Sequence, residues 1–454
     1  MEKKLTFRQH VLLASTLFGM FFGAGNLIFP LILGAQAGEN LLPALLGMLV
    51  TAVGIPVLGI VSMGISRSEG LMDMAGRVSR RFGLLFTCTL YLTIGPLFAI
   101  PRCAATSFTM GIAPMVKGGQ GVAQAVFTTL FFAAVLFFSL RPSKIMNSVG
   151  KLLNPIFLFF LSILTVSALI RPVQAIGSVP PSGGYVNNAF SVGFLQGYDT
   201  LDALASLAFG IIVIESIRSL GVREPIRVAG GTIRSGALNM LLMTLIYAVI
   251  AIVGAQSYGL YSDRLAEAGF TGGDAFVIIA RHYFGGAGNM LLALTVTFCC
   301  LKTAVGLVTS CAETFETLFP RVMGYRGYAV AFSAFSLLVS NLGLSAIIAF
   351  SAPVLYFLYP LAIVLILLSL FGRAFGHERC VYRCTMGCTL FAAALDLLMV
   401  SAVPAGQGIV AWALGWLPLY GIGLGWVAPA AIGLCIGLTV RRCAVCKDRA
   451  GEGE

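Results

Sequence analysis

Apolar residues run along this chain in long blocks, with polar positions confined to short intervals between them. Blocks of roughly 18 to 25 residues have the length that carries a helix across about 30 Å of hydrocarbon. Twelve can be drawn, over residues 9–36, 41–66, 84–111, 122–140, 149–170, 194–217, 236–257, 288–317, 328–341, 343–370, 384–404 and 419–440. The first is itself interrupted, because Gly23-Ala24-Gly25-Asn26 stands near its middle with Gly19 and Pro30 close by. Glycine weakens a helix, and at bilayer depth no water replaces the lost hydrogen bonds, so the exposed N–H and C=O groups need a bound partner. The pattern predicts a broken helix at a ligand site.

Composition agrees with the blocks: 58% hydrophobic and 10% charged residues over 454 positions, with a mean hydropathy of +0.94, describe an integral membrane protein. The net charge of +11 would otherwise suggest nucleic acid. Its placement argues against that. With the N-terminus inside, Lys and Arg collect in the inner segments, from Lys3, Lys4 and Arg8 to Arg441, Arg442, Lys447 and Arg449. Only Lys117, Arg171, Arg264 and Arg281 fall outside, while Arg102 and Lys302 lie within the membrane. This is the charge bias that orients helices in a cytoplasmic membrane, and it puts both termini in the cytoplasm of a bacterial cell (inner) membrane. No cleavable signal peptide is evident, since the first block is too long.

The 11 cysteines lie in apolar helices or on the reducing side. Cys443-Ala444-Val445-Cys446 has zinc-like spacing but no second pair, and His10, His282 and His377 fall at helix ends, so no transition-metal site is expected. The longer loops, 171–193 and 258–287, are too short to bury a core. Segment 171–193 divides the chain into blocks of five helices, 9–170 and 194–370; 384–440 supplies two additional helices and 441–454 a cytoplasmic tail. An odd number of crossings reverses the second block, which is the arithmetic of an inverted repeat. The sixth block should then break as the first does. Ser206 and Gly210 stand in the corresponding region, either as that break or as helix-packing residues.

Five stretches carry a resemblance: Gly23-Ala24-Gly25-Asn26-Leu27-Ile28-Phe29-Pro30, Gly95-Pro96-Leu97-Phe98-Ala99-Ile100-Pro101-Arg102, Gly111-Ile112-Ala113-Pro114, Thr303-Ala304-Val305-Gly306-Leu307 and Ser340-Asn341-Leu342-Gly343-Leu344-Ser345. Together they resemble the bacterial branched-chain amino acid:cation symporters, the BrnQ-type family, across nearly the whole chain. The resemblance implies an all-α membrane protein of about twelve helices with a LeuT-like 5+5 inverted repeat. It also implies import of leucine, isoleucine and valine with Na+, no organic cofactor, and no obligate protein partner besides membrane lipid.

A zwitterion needs a positive pole, a negative pole and an apolar wall, and a broken helix offers free N–H groups on one half and free carbonyls on the other. We expect the Ala24 and Gly25 amides at the carboxylate, a carbonyl near Phe21 and the Ser206 region at the ammonium, Phe209 and Tyr91 in the wall, and Gly23 and Asn26 among the other substrate-site residues. By the LeuT-like pattern, carbonyls of Gly19 and Phe22 with the Thr303 hydroxyl would hold Na+, and Asn26 would serve a second cation or an interhelical hydrogen bond. Lys302 departs from that pattern. Its ammonium either replaces Na+, making transport H+-coupled or cation-independent, or faces another side of the helix. Arg102 is an outer gate or an anchor; Asp199 and Asp202 attract cations or reach the interface; Glu313 and Glu316 face an inner vestibule; Asp396 is structural or interfacial. No His, Asp or Glu cluster supports an integral-membrane enzyme, and no filter-like loop supports a channel.

Overall fold

In the computed structural model, residues 5–116, 118–140, 145–220, 222, 225–401 and 415–451 are described. The basic residues Lys3, Lys4, Lys117, Arg141, Lys144 and Arg223 lie outside them. Among the described residues the chain is helical and carries no strand. Among these residues seven helical stretches are long and apolar enough to cross a membrane by length and composition. Of the twelve expected blocks, those at 149–170, 194–217, 328–341 and 419–440 are not among the seven, and the second half of the first joins the second in one continuous stretch, Ala24–Ser66.

The first block forms α1 (Phe7–Phe21) and α2 (Ala24–Ala37). Thr6 and Gln9 start α1 as a reciprocal cap, Gln9 N–H donating to Thr6 Oγ1 at 3.4 Å and Thr6 N–H to Gln9 Oε1 at 2.8 Å. At Phe22 and Gly23 the backbone turns extended and the helix stops. The Asn26 side chain then caps the restart, its Oδ1 accepting the Gly23 N–H at 2.9 Å. Gly23 and Asn26 thus make the interruption that their composition predicts.

The second block is α3 (Leu41–Leu49) and α4 (Ile55–Ser66), joined by a π-helical turn, with the short α5 (Leu71–Gly76) beyond it. The third is α6 (Arg80–Leu92) and α7 (Ala99–Ser107). Between them Gly95, with φ −95° and ψ −121° beside Pro96, leaves helical geometry. Helices α8 (Gln120–Ser139) and α9 (Ile145–Ile170) follow.

The sixth block is also broken, but not where Ser206 and Gly210 suggested. Segment 171–193, expected as an irregular connector, is helical from Tyr185 as α10 (Tyr185–Gln196). A turn at Gly197–Thr200 leads to Leu201, held at φ +66°, and α11 (Asp202–Ser219) begins there. A left-handed leucine is strained and marks the break directly. Ser206 and Gly210 sit inside unbroken helix. The Ser206 hydroxyl donates to the Ala203 carbonyl at 2.7 Å, and a Cβ on Gly59 would come within 2.2 Å of it. A Cβ on Gly210 would meet Met63 Sδ at 2.8 Å. Both residues serve close packing of α11 on α4.

The remaining helices are α12 (Pro225–Gln256), α13 (Gly272–Leu318), α14 (Tyr325–Ser340), α15 (Leu344–Leu370), α16 (Arg379–Ser401) and α17 (Val427–Gly451). The expected eighth span starts at residue 288, yet α13 starts earlier and kinks at Gly285, where φ is +60°. Its first part belongs to the loop expected over 258–287. Helices α1 and α2 lie at the centre, α1 against α11 and α12, α2 against α12 and α13. The α2–α12 contact is backbone on backbone: a Cβ on Gly34 would fall 1.8 Å from the Ala251 carbonyl oxygen, and one on Gly254 2.1 Å from that of Leu31. Two glycines, one on each helix, permit this approach.

At the end of the bundle where α4 and α15 finish, Arg77 clasps several loops. It donates to the Ser66 carbonyl at 2.7 Å and to Ser68 Oγ at 3.2 Å, and its Nη1 lies 2.8 Å from His377 Nδ1. Nearby, Arg383 donates to the Val78 carbonyl at 3.0 Å. His377 itself lies in the turn between α15 and α16. Burial and the neighbouring Arg77 and Arg373 charges push its pKa below the ordinary 6.5.

Candidate substrate and cation site

The two helix breaks face one another, and between them lies a cavity of about 30 Å³, room for a water or two but not for an amino acid. Phe21, Gly23, Ala24, Gly25, Asn26, Arg102, Phe209 and Thr303 line it, all of them expected from the sequence. Four other expected residues and Lys302 do not line it. Gly19 is buried in α1 and Phe22 points its ring to Phe18, with ring centres 4.9 Å apart. Tyr91 donates to the Ala208 carbonyl at 3.3 Å, so it braces the back of α11. Ser206 faces α4, as described above.

The apolar side of the cavity joins Phe21 and Phe209, packed edge to face at 6.3 Å, with Ile94, Ala205 and Leu307. The polar side begins with the first turn of α2, the positive end of a helix, whose residues Ala24, Gly25 and Asn26 line the cavity. Arg102, only 4% exposed, reaches the same space from α7. Its Nη1 donates to the Asp199 carbonyl at 2.6 Å and its Nη2 to the Thr200 carbonyl at 3.4 Å. These carbonyls end the turn before α11, so Arg102 caps the negative pole of that break. Its guanidinium also lies 5.4 Å over the Phe29 ring.

Asp202, expected near the outer end of the sixth block to attract cations or reach the interface, lies instead at the second break. It is 2% exposed, lines the cavity, and opens α11. Its Oδ2 accepts from Asn26 Nδ2 at 2.6 Å and from the Tyr247 hydroxyl at 2.9 Å. Asn26 Nδ2 also donates to the Tyr247 hydroxyl, which closes a three-residue network across the first helix, the sixth and α12. Two donors on one oxygen suit an ionised carboxylate at a helix N-terminus. The signal available was an aspartate one turn from the middle of an apolar block. Tyr247 gives no such signal.

On the cation side, Thr303 Oγ1 donates to the Phe22 carbonyl at 3.3 Å, and Cys299 Sγ approaches the same oxygen at 3.5 Å. Thr303 packs against Gly23, where a Cβ would stand 3.2 Å from its methyl. Lys302 is half-buried and one residue earlier, hence turned about 100° around the helix. Asn26, expected as a cation ligand, has its oxygen on Gly23 and its nitrogen on Asp202, so the interhelical hydrogen bond is what it makes here.

Residues 7–444 match the family model described as branched-chain amino acid transport protein. The branched-chain amino acid permease BrnQ of Lactobacillus delbrueckii subsp. lactis is 47% identical over 440 residues, covering 95% of this chain and 96% of that one. BrnQ of Bacillus subtilis (strain 168) is 40% identical over 96% of this chain and 97% of its own. The branched-chain amino acid transport system 2 carrier protein of Pseudomonas aeruginosa is 39% identical, with 94% of each chain covered. Among solved structures, Mhp1, a nucleobase-cation-symport-1 family transporter with bromovinylhydantoin bound, aligns at a TM-score of 0.61 and 14% identity over 95% of this chain and 92% of its own. MhsT in complex with L-phenylalanine aligns at 0.57 and 16% identity, over 97% and 99%. These two likenesses concern the fold, which is that of the LeuT-like transporters.

Proposed function

This chain belongs to the family of branched-chain amino acid transport proteins, and we propose that it imports leucine, isoleucine and valine by symport with Na+ through alternating access. It is a multi-pass membrane transporter, not an enzyme. The observation that carries the reading is the cavity between two facing helix breaks, with opposite electrical poles on one side and an aliphatic and aromatic wall on the other. A methylene is worth only about 1 kcal/mol in such a wall, so the three substrates should compete with similar strength.

Na+ takes oxygen ligands, and the Phe22 carbonyl with the Thr303 hydroxyl supplies two of them beside the break. The alternative in which the Lys302 ammonium stands in for Na+ requires that side chain at the same oxygens. Thr303 lines the cavity, which puts a neutral hydroxyl beside the break where Na+ would be held. The distribution of Lys and Arg supports a cytoplasmic-membrane location with both termini inside.

Uptake of labelled leucine into proteoliposomes, with Na+ gradient, pH and membrane potential varied separately, tests the proposal. Saturable, uphill uptake that follows the Na+ gradient and is competed by isoleucine and valine is expected. Absence of leucine uptake overturns the substrate assignment, and uptake indifferent to Na+ overturns the coupling.

A further inference from the structure

We infer that Arg102 is a substrate-binding residue, receiving the amino acid's carboxylate jointly with the first amides of α2, and that Asp202 supplies the opposing charge. The inference rests on the transport reading above and deepens it. It begins from an electrostatic oddity. A Cβ on Gly25 would stand 2.8 Å from Arg102 Nη2, so the guanidinium lies directly against the first turn of α2. That turn is the positive end of a helix. Two positive poles converge on one buried spot, where a carboxylate would be held by both.

A second observation points the same way. Arg102 Nε is buried and has no hydrogen-bond partner among the described residues, although the guanidinium's two terminal nitrogens are engaged by the Asp199 and Thr200 carbonyls. An orphaned donor at this depth is costly, and a planar carboxylate is what the guanidinium fork is shaped to accept. Gly25 then has a reason beyond breaking the helix: any side chain there would fill the space that guanidinium and carboxylate share. The Phe29 ring holds the guanidinium from its other side.

Across the same small cavity, Asp202 is pinned by Asn26 and Tyr247. The cavity is therefore lined by one acidic and one basic side chain, the pair that the two ends of a zwitterion call for. A gate would contact the substrate only in passing. A receptor contributes to affinity in every state that holds substrate.

The test is binding of labelled leucine to the purified full-length protein, competed by unlabelled leucine, by isoamylamine, which lacks the carboxylate, and by 4-methylpentanoate, which lacks the amine. In the unaltered protein only leucine should compete well. Arg102→Gln should weaken leucine roughly 10- to 100-fold, the range of a lost charged hydrogen bond, while isoamylamine weakens less or gains. Gly25→Ala, which displaces the guanidinium but keeps its charge, should weaken leucine in the same direction, and Arg102→Lys should recover part of the affinity. Asp202→Asn should penalise leucine and isoamylamine but spare 4-methylpentanoate. If Arg102→Gln does not fold, Gly25→Ala and Arg102→Lys carry the same discrimination. The inference is overturned if these variants lower maximal uptake with unchanged leucine affinity, or weaken leucine and isoamylamine alike. Failure of the unaltered protein to bind leucine would instead refute the transport reading on which it rests.

Discussion

Thr303 and Lys302 are adjacent in sequence and opposite in consequence. Because the Thr303 hydroxyl meets the Phe22 carbonyl beside the break, Thr303→Ala removes one oxygen and should raise the Na+ concentration for half-maximal uptake by about tenfold. Lys302→Thr tests the alternative: under Na+ coupling it should leave the Na+ dependence unchanged, whereas an ammonium standing in for Na+ would make uptake newly Na+-dependent. Sodium-titrated leucine uptake by the two variants checks both, and a Na+ requirement altered in Lys302→Thr alone would reverse their roles. At this scale the sequence was readable where composition announces conformation. Glycines and asparagine at 23–26 stop a helix visibly. Leu201 gives no such warning, because its left-handed backbone is imposed by surrounding structure rather than by its own preference. With the second break misplaced by about a turn, Asp202 was read as an outer-end residue and Ser206 as a substrate contact.

Between elements, the tightest joint is that of α2 and α12. Gly34→Ala would drive a methyl into the Ala251 backbone, which no side-chain adjustment relieves, whereas a Cβ on Gly306 of α13 meets nothing within 4 Å. We expect Gly34→Ala to lose folded, monodisperse protein, a penalty of about 1–3 kcal/mol or more. Gly306→Ala should be neutral or slightly stabilising. Size-exclusion profiles after graded heating in detergent compare the two, and equal profiles would show that the joint yields. Helix positions were largely legible, since blocks of apolar residues must become helices in a bilayer. What periodicity could not supply was where helices touch by backbone or continue past the membrane, as α13 does before Gly285.

For the whole molecule, the cluster around Arg77 and His377 ties the end of α4 to the turn before α16. Neutral His377 accepts from Arg77, and its lowered pKa means that the folded protein binds this proton less readily than the unfolded chain. The contribution is therefore complete above the ordinary value of 6.5 and is lost as pH falls through the depressed value. Melting temperatures should fall on acidification below about 6.5 more steeply for the unaltered protein than for His377→Asn, which keeps an acceptor and tolerates positive φ. Parallel curves would remove His377 from the account. A different consequence follows from the site itself. Arg102 and Asp202 cancel one another, and a zwitterion adds no net charge, so the amino acid itself should bring no work against the voltage. Only the accompanying ion does work in the field, about 2.3 kcal/mol per elementary charge per 100 mV. Leucine pulses over a protein-loaded supported membrane should give capacitive current when Na+ is present and none when it is absent.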